Sequence, residues 1–313
     1  MQNAAATWKS NGGSEAEKVV LLAAMLKSVN IQAEPVAVVA EKLYVNKTAS
    51  PALIDRTLVK VSIQGMDPLY LSATQVDLQD LRFQLAGKRI ISLVPGKKLM
   101  SEVLPEVKNQ LSVSGNLTLD PSLTLAGNLN LEIGGRLNPW LRMQKDTTYT
   151  TGFLSGLLGG GKVNKVAKGK TEMDISSFSY NISTTSLTSE TGGHVFLKLP
   201  SATVGSDSWH MTELVSTRSE PLEIPFAISE SYDMFITIPE GMSVITAPAA
   251  LNLSNEFGSV NIKIAIEGNQ LHVVRKLNIV QTQVPVAKYE AFKAMINAWN
   301  SKKYREVVLK KGN

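Results

Sequence analysis

Between residues 111 and 133 the apolar side chains recur at every second position. Leu111, Val113, Leu117 and Leu119 make one run; Leu123, Leu125, Leu129, Leu131 and Ile133 make another, with Gly115 and Gly127 interrupting them. Period two puts all of these residues on one face of extended backbone. Asp120-Pro121-Ser122 joins the runs, so the segment predicts a long antiparallel hairpin with one dry and one wet face. Further strands are expected at Val195–Leu199, Met234–Ile238, Val260–Ile266 and Leu271–Val280, and a last one at Arg305–Leu309. Pro239-Glu240-Gly241 and Glu267-Gly268-Asn269 supply turns between them. Many short strands with regular turns predict a β-sandwich over residues 101–313. Residues 137–158 read as partly helical. Tyr289, Phe292, Ile296 and Trp299 sit at helical spacing after Pro285, which predicts a C-terminal helix whose aromatic stripe packs in the core.

The first hundred residues read differently. Val19, Val20, Leu22, Ala23, Met25, Leu26 and Val29 occupy more than one helical face, as expected for a buried helix. Ser14 and Glu17 form an S-x-x-E capping box at its start, and Asn30 is placed to end it. Strands follow at Ile31–Val39, Leu58–Ile63, Leu69–Leu71 and Ile90–Val94, with Gly65-Met66-Asp67-Pro68 as a turn. The expected class is therefore α+β: a helix with an antiparallel sheet over 1–100, then a mainly β domain over 101–313. The length of 313 residues suits two domains with substantial cores.

Composition removes several function classes. The chain has no cysteine, which excludes disulfides, cysteine-ligated zinc, iron–sulfur clusters and every thiol nucleophile. Its 32 basic and 27 acidic residues give a net charge of +5. Most of the excess lies at the end, in Lys302, Lys303, Arg305, Lys310 and Lys311 against Glu306, and reads as a solvated basic tail. Aromatics at 6% are too sparse for a nucleic-acid stacking face. No run reaches the length of a membrane span, and Met1 to Thr7 carries no leader pattern. His194, His210 and His272 are too scattered for a metal site, and Asp67, Asp77 and Asp80 lack a calcium-loop pattern. No metal and no cofactor are expected. Gly156 to Val163 fits G-x-x-x-x-G-K, but Val163 stands where a phosphate loop needs Ser or Thr, and the strand–loop–helix context is missing. A mobile surface loop is expected there. No G-x-S-x-G serine-hydrolase motif occurs.

The segment Gly13-Ser14-Glu15-Ala16-Glu17-Lys18 through Leu21-Leu22 and Leu26, continuing to Asn30-Ile31-Gln32-Ala33, resembles the core helix of bacterial transglutaminase-like proteins. In that family Gly-x-Cys opens the helix and Gly-Ile-x-Ala follows it. Ile54 to Val61 is similar to the strand that begins with the catalytic histidine, and Tyr70 to Thr74 to the strand that carries the aspartate. Weaker similarity continues at Arg218–Leu222, Ile238–Met242, Val274–Leu277 and Val308–Lys311. The resemblance implies a papain-like domain, shortened at its start, followed by a β-sandwich.

A Cys–His–Asp triad places a thiol at a helix N-terminus, an imidazole beside it, and a carboxylate that orients the imidazole. At the matching positions this chain has Glu15, Arg56 and Ser72. The expectation is a pseudoenzyme with no catalytic residues, in which Glu15 and Arg56 pair across the former cleft. It would act as a binding or scaffolding module of the cell envelope, periplasmic or outer-membrane-associated if the full gene carries a signal peptide. Its partner would be a protein, peptide or glycan, not a nucleic acid. Two alternatives are a glycan- or peptide-binding sandwich with Trp140 or Trp209 lining a groove, and a hydrolase with a rebuilt site free of cysteine.

Overall fold

The computed structural model describes residues 2–40, 51–65, 68–74, 81, 84–96, 101–103, 108–172, 174–211 and 214–312. Asp67, Asp77 and Asp80 lie outside them. The chain is mixed α+β and divides into two compact units, Met1–Val107 and Lys108–Asn313.

The first unit opens with two helices, α1 (Ala4–Ser10) and α2 (Glu15–Ser28). Five antiparallel strands follow: β1 (Ala33–Ala40), β2 (Ile54–Val61), β3 (Leu69–Leu71), β4 (Lys88–Ser92) and β5 (Ser101–Val103), in the order β3-β2-β1-β4-β5. The capping box of α2 is complete. The Glu17 amide donates to Ser14 Oγ, and the Ser14 amide donates to Glu17 Oε2 at 2.9 Å. Asn30, just past the helix end, takes the left-handed conformation at φ 62°.

Val19 and Ala23 of α2 pack on Val59 and Val61 of β2, flanked by Leu22 and Leu26. The opposite face of the sheet buries Val36, Val38, Leu58 and Ile90 beneath Leu81 and Leu85. The sheet is thus dry on both faces, but α2 is not. Only one stripe of the helix meets the sheet, while Met25 and Val29 are 48% and 64% exposed on the other side. The expectation of a fully buried helix is corrected to that extent.

The second unit is a sandwich. Its larger sheet has eight strands: β6 (Gln110–Leu119), β7 (Leu125–Gly134), β8 (Lys162–Thr171), β9 (Ile175–Thr184), β13 (Ile228–Thr237), β15 (Leu251–Asn255), β16 (Gly258–Glu267) and β17 (Gln270–Ile279). Their order is β15-β16-β17-β13-β6-β7-β9-β8, antiparallel except for the β13–β6 pair. The smaller sheet has the order β10-β11-β19-β14, from β10 (Thr188–Thr191), β11 (His194–Lys198), β14 (Met242–Thr246) and β19 (Glu306–Lys311). A short pair, β12 (Leu222–Glu223) and β18 (Gln283–Val284), adds a clasp. Val113, Leu129, Met234 and Val273 from the large sheet share one core with Val195, Leu197, Val307 and Leu309 from the small one.

The leading hairpin is β6–β7. Asp120 closes it by accepting the Thr124 amide at 2.8 Å. The two glycines that interrupt the apolar runs sit where the backbones approach closely. A Cβ on Gly115 would come within 2.1 Å of the Asn128 carbonyl, and one on Gly127 within 2.1 Å of the Asn116 carbonyl. Helices α3 (Trp140–Lys145) and α4 (Thr147–Leu157) pack against β8. A turn of 3₁₀ helix after Pro285 leads into α5 (Tyr289–Asn300), whose Tyr289, Phe292, Ile296 and Trp299 are buried. Phe292 meets Phe257 edge-on at 5.9 Å.

The basic C-terminal segment is not a solvated tail. It forms β19, an inner strand of the small sheet, because Val307 and Leu309 alternate inward. Arg305 pairs with Asp207 at 2.8 Å and Lys311 with Glu190 at 2.6 Å.

Candidate functional site

The three positions singled out by the resemblance all lie in the first unit. Glu15 opens α2, behind its Ser14 cap. Arg56 lies near the start of β2, opposite Val38 of β1. Ser72 directly follows Leu71, which pairs with Val59. The side chains do not join into a site. Glu15 is exposed, while Arg56 is half-buried, hydrogen-bonds to Gln84 and lies 3.7 Å from Asp55. The expected Glu15–Arg56 ion pair is absent among the described residues; Arg56 is engaged by its own strand neighbour and by Gln84. Asp55 also accepts from Lys88, and that hydrogen bond holds its carboxyl below the usual range. Ser72 Oγ lies 3.0 Å from Thr74 Oγ1 and accepts the Thr74 amide. Glu17, next to Glu15 in the first turn, accepts from the Gln2 and Ser14 amides, which lowers its carboxyl. Among the described residues Glu17, Asp55, Arg56 and Ser72 are each held by local partners, while Glu15 stands exposed.

The second unit carries a buried polar cluster that pattern reading missed. Glu230 points into the sandwich core and accepts three hydrogen bonds: from the Ser206 amide at 3.0 Å, from Ser206 Oγ at 2.6 Å and from Tyr232 OH at 2.6 Å. Trp299 Nε1 donates to Ser206 Oγ at 3.1 Å, and the Ala202 amide donates to Tyr232 OH at 2.7 Å. Arg275, also fully buried, lies 4.3 Å over the Trp299 ring and donates to the Trp299 carbonyl. Its Nε and Nη1 meet no acceptor among the described residues. Burial raises the Glu230 carboxyl and the Tyr232 phenol, and brings the Arg275 guanidinium down to about 10. Gly205 closes the cluster at φ 75°, where a Cβ would stand 2.9 Å from Glu230 Oε2. Sealed from solvent, these groups fasten the 3₁₀ turn Gly205–Trp209, β13, β17 and α5 to one another.

The remaining candidates resolve individually. Trp209 is buried and packs edge-on against Phe226 at 5.6 Å, while Trp140 is half-buried with its Nε1 enclosed. Trp209 belongs to the sandwich core, which removes it as the expected glycan platform, and Trp140 does not line the groove on the large sheet. The Gly156–Val163 loop follows α4 and enters β8, the reverse of a phosphate-loop context. Its carbonyls are tied down, Gly160 O by Thr184 Oγ1 at 2.7 Å and Gly161 O by Ser155 Oγ at 2.6 Å. The expectation of a loose loop is therefore corrected. His194 lies by the Gly192 carbonyl, His210 takes a left-handed turn conformation, and His272 bonds to Asp233 at 2.8 Å. No metal-binding group of acidic residues and histidines occurs among the described residues.

A concave polar site does exist, on the outer face of the large sheet. The alternation that sends Leu131 and Phe178 inward turns Ser112, Ser114, Asn130, Glu132, Ser177 and Ser179 outward, and they line a groove of about 270 Å³. Strand β8 forms its wall. Two register shifts bend β8, and its Lys170 amide reaches Ser177 Oγ at 2.9 Å.

Residues 194–309 match the family DUF3858, a domain of unknown function with a solved structure. Among solved structures the chain is similar to a protein from Parabacteroides distasonis that is described as a proposed protease, with a TM-score of 0.58 and 21% identity. The match covers 98% of this chain and 46% of that one, so the chain spans about half the length of its structural neighbour. At this identity the likeness speaks for the fold alone. Among curated proteins, none matches. No helix among the described residues is long and apolar enough to cross a membrane.

Proposed function

We propose that this chain is a transglutaminase-like protein that works by binding rather than by covalent catalysis. The observation that supports this reading is the state of the three triad-matching positions. Glu15 is exposed, Arg56 is held by Asp55 and Gln84, and Ser72 is bonded to Thr74, so the three positions supply no thiol and no imidazole for a Cys–His–Asp relay. Arginine stays protonated at any physiological pH. A hydrolase with a rebuilt carboxylate site is the competing reading. The buried carboxylate of Glu230 does not favour it, since that group is enclosed by donors and closed to substrate.

The test is direct. The chain is incubated with a glutamine-containing peptide and a primary amine, and separately with casein. Ammonia release and peptide cleavage no higher than in a heat-inactivated control are expected. Turnover above that control that disappears in Glu15→Gln would overturn the reading. A cell-envelope location belongs to the same proposal and rests on the resemblance alone. Fractionation of the native host checks it, and recovery in the cytoplasm would refute it.

A further inference from the structure

From the groove on the large sheet we infer a carbohydrate site: it takes a neutral oligosaccharide, laid across strands β13, β6, β7 and β9. The inference rests on the reading that the chain acts by binding, and it adds the place and the chemical class of the ligand.

The lining decides the class. Four serine hydroxyls, the Asn130 amide and the Glu132 carboxylate face the groove, and no lysine or arginine side chain lines it among the described residues. A phosphate or polyanionic ligand would find no cation there. A peptide anchored by apolar side chains would find no pocket, because Leu131 and Phe178 keep their side chains in the core. Serine and asparagine each both donate and accept, which suits ring hydroxyls that do the same.

The register then extends the surface. Asp233, Ser114, Asn130 and Ser179 form one row across β13, β6, β7 and β9. In the next row Phe235 of β13 stands opposite Asn116. Its ring stacks on His272 of the neighbouring β17 at 4.2 Å and 11°. His272 is pinned by Asp233, and Phe235 is 37% exposed. An exposed aromatic pair therefore stands diagonal to Ser114, one strand over and two residues along, roughly 7–8 Å from the trough of hydroxyls and amides. That pairing fits a sugar ring, whose C–H face is apolar and whose edge is polar.

The test uses the purified full chain and a panel of neutral hexasaccharides (cellohexaose, xylohexaose, mannohexaose and maltohexaose), read by titration calorimetry. At least one is expected to bind. Asn130→Ala and Phe235→Ala should each weaken it at least about tenfold, while Asn261→Ala, on the same face across β17, should leave it unchanged. Circular dichroism confirms that the variants fold. Absence of binding by all four sugars at about 1 mM overturns the inference. So does binding that both groove variants leave intact, or a groove that takes a neutral decapeptide instead. None of these results touches the non-catalytic reading, which stands or falls on the turnover assay.

Discussion

Replacing Ser206 by alanine tests the buried cluster most sharply. The hydroxyl donates to Glu230 Oε2 at 2.6 Å and accepts from Trp299 Nε1 at 3.1 Å. The variant loses a buried hydrogen bond to the carboxyl, worth about 1–3 kcal/mol, and strands the buried indole N–H, worth about 1–3 kcal/mol. Partial relaxation into the vacated space favours the lower end, about 2 kcal/mol.

The cost should depend on pH, with a definite sign. Burial raises Glu230 above the ordinary carboxyl value of 4.5, and the Ser206 hydroxyl is the strongest influence opposing that rise. A carboxyl raised in the folded state contributes stability that is complete below 4.5 and is lost as pH climbs through its folded value. Removing the hydroxyl raises Glu230 further, so the variant should fall increasingly behind once the pH climbs past the wild-type folded value, which lies above 4.5. Urea denaturation followed by tryptophan fluorescence at several pH values measures this. A cost below about 0.5 kcal/mol at pH 7, or one that does not grow with pH, would refute the account of the cluster.

Three further expectations follow from the same packing. Gly205→Ala puts a Cβ against Glu230 at a left-handed position, and a loss of at least about 1–3 kcal/mol is expected in chemical denaturation. Arg275→Met removes a buried charge that has two nitrogens without acceptors. It also takes the donor from the Trp299 carbonyl and the cation coupled to buried Glu230, so a cost of about 3–5 kcal/mol is expected, and a melting experiment showing no cost would contradict this. Leu58→Ala empties a fully buried position between β1 and Leu81. It should cost about 2–5 kcal/mol, seen as faster hydrogen exchange in β1 and β2 and not in β6 or β7.

The parts of the fold legible in the sequence were those whose residues obey one rule at a time. The β6–β7 hairpin showed its period, its turn and its two close-approach glycines. The α2 capping box and the aromatic stripe of α5 were equally plain. Strand β13 was read from Met234 because Glu230, a charged residue, occupies an inward position; the strand begins at Ile228. Arg275 also occupies an inward position, yet β17 was legible across it, expected at Leu271–Val280 and found at Gln270–Ile279. Their partners, Ser206 and Trp299, are remote in sequence, so only folding reveals that the cluster is satisfied. The polar groove was hidden for another reason. Its residues are the solvent-facing half of ordinary alternation, and a serine facing water looks the same whether or not a neighbouring strand curls over it. Strand β9 was missed because its buried positions include Ser176 and Thr184.

The lone parallel pairing in the large sheet has a practical consequence for anyone dividing this chain. Strand β13 lies inside the DUF3858 match, while its neighbour β6 lies outside, more than a hundred residues earlier. A fragment cut to residues 194–309 would sever the sheet along that seam. The long ladder of β13 would become a bare edge, open to any other extended backbone. The stretch matched by the family model therefore leaves one sheet edge open when taken alone. A fragment that starts before Gln110 keeps β6 and closes the seam from both sides.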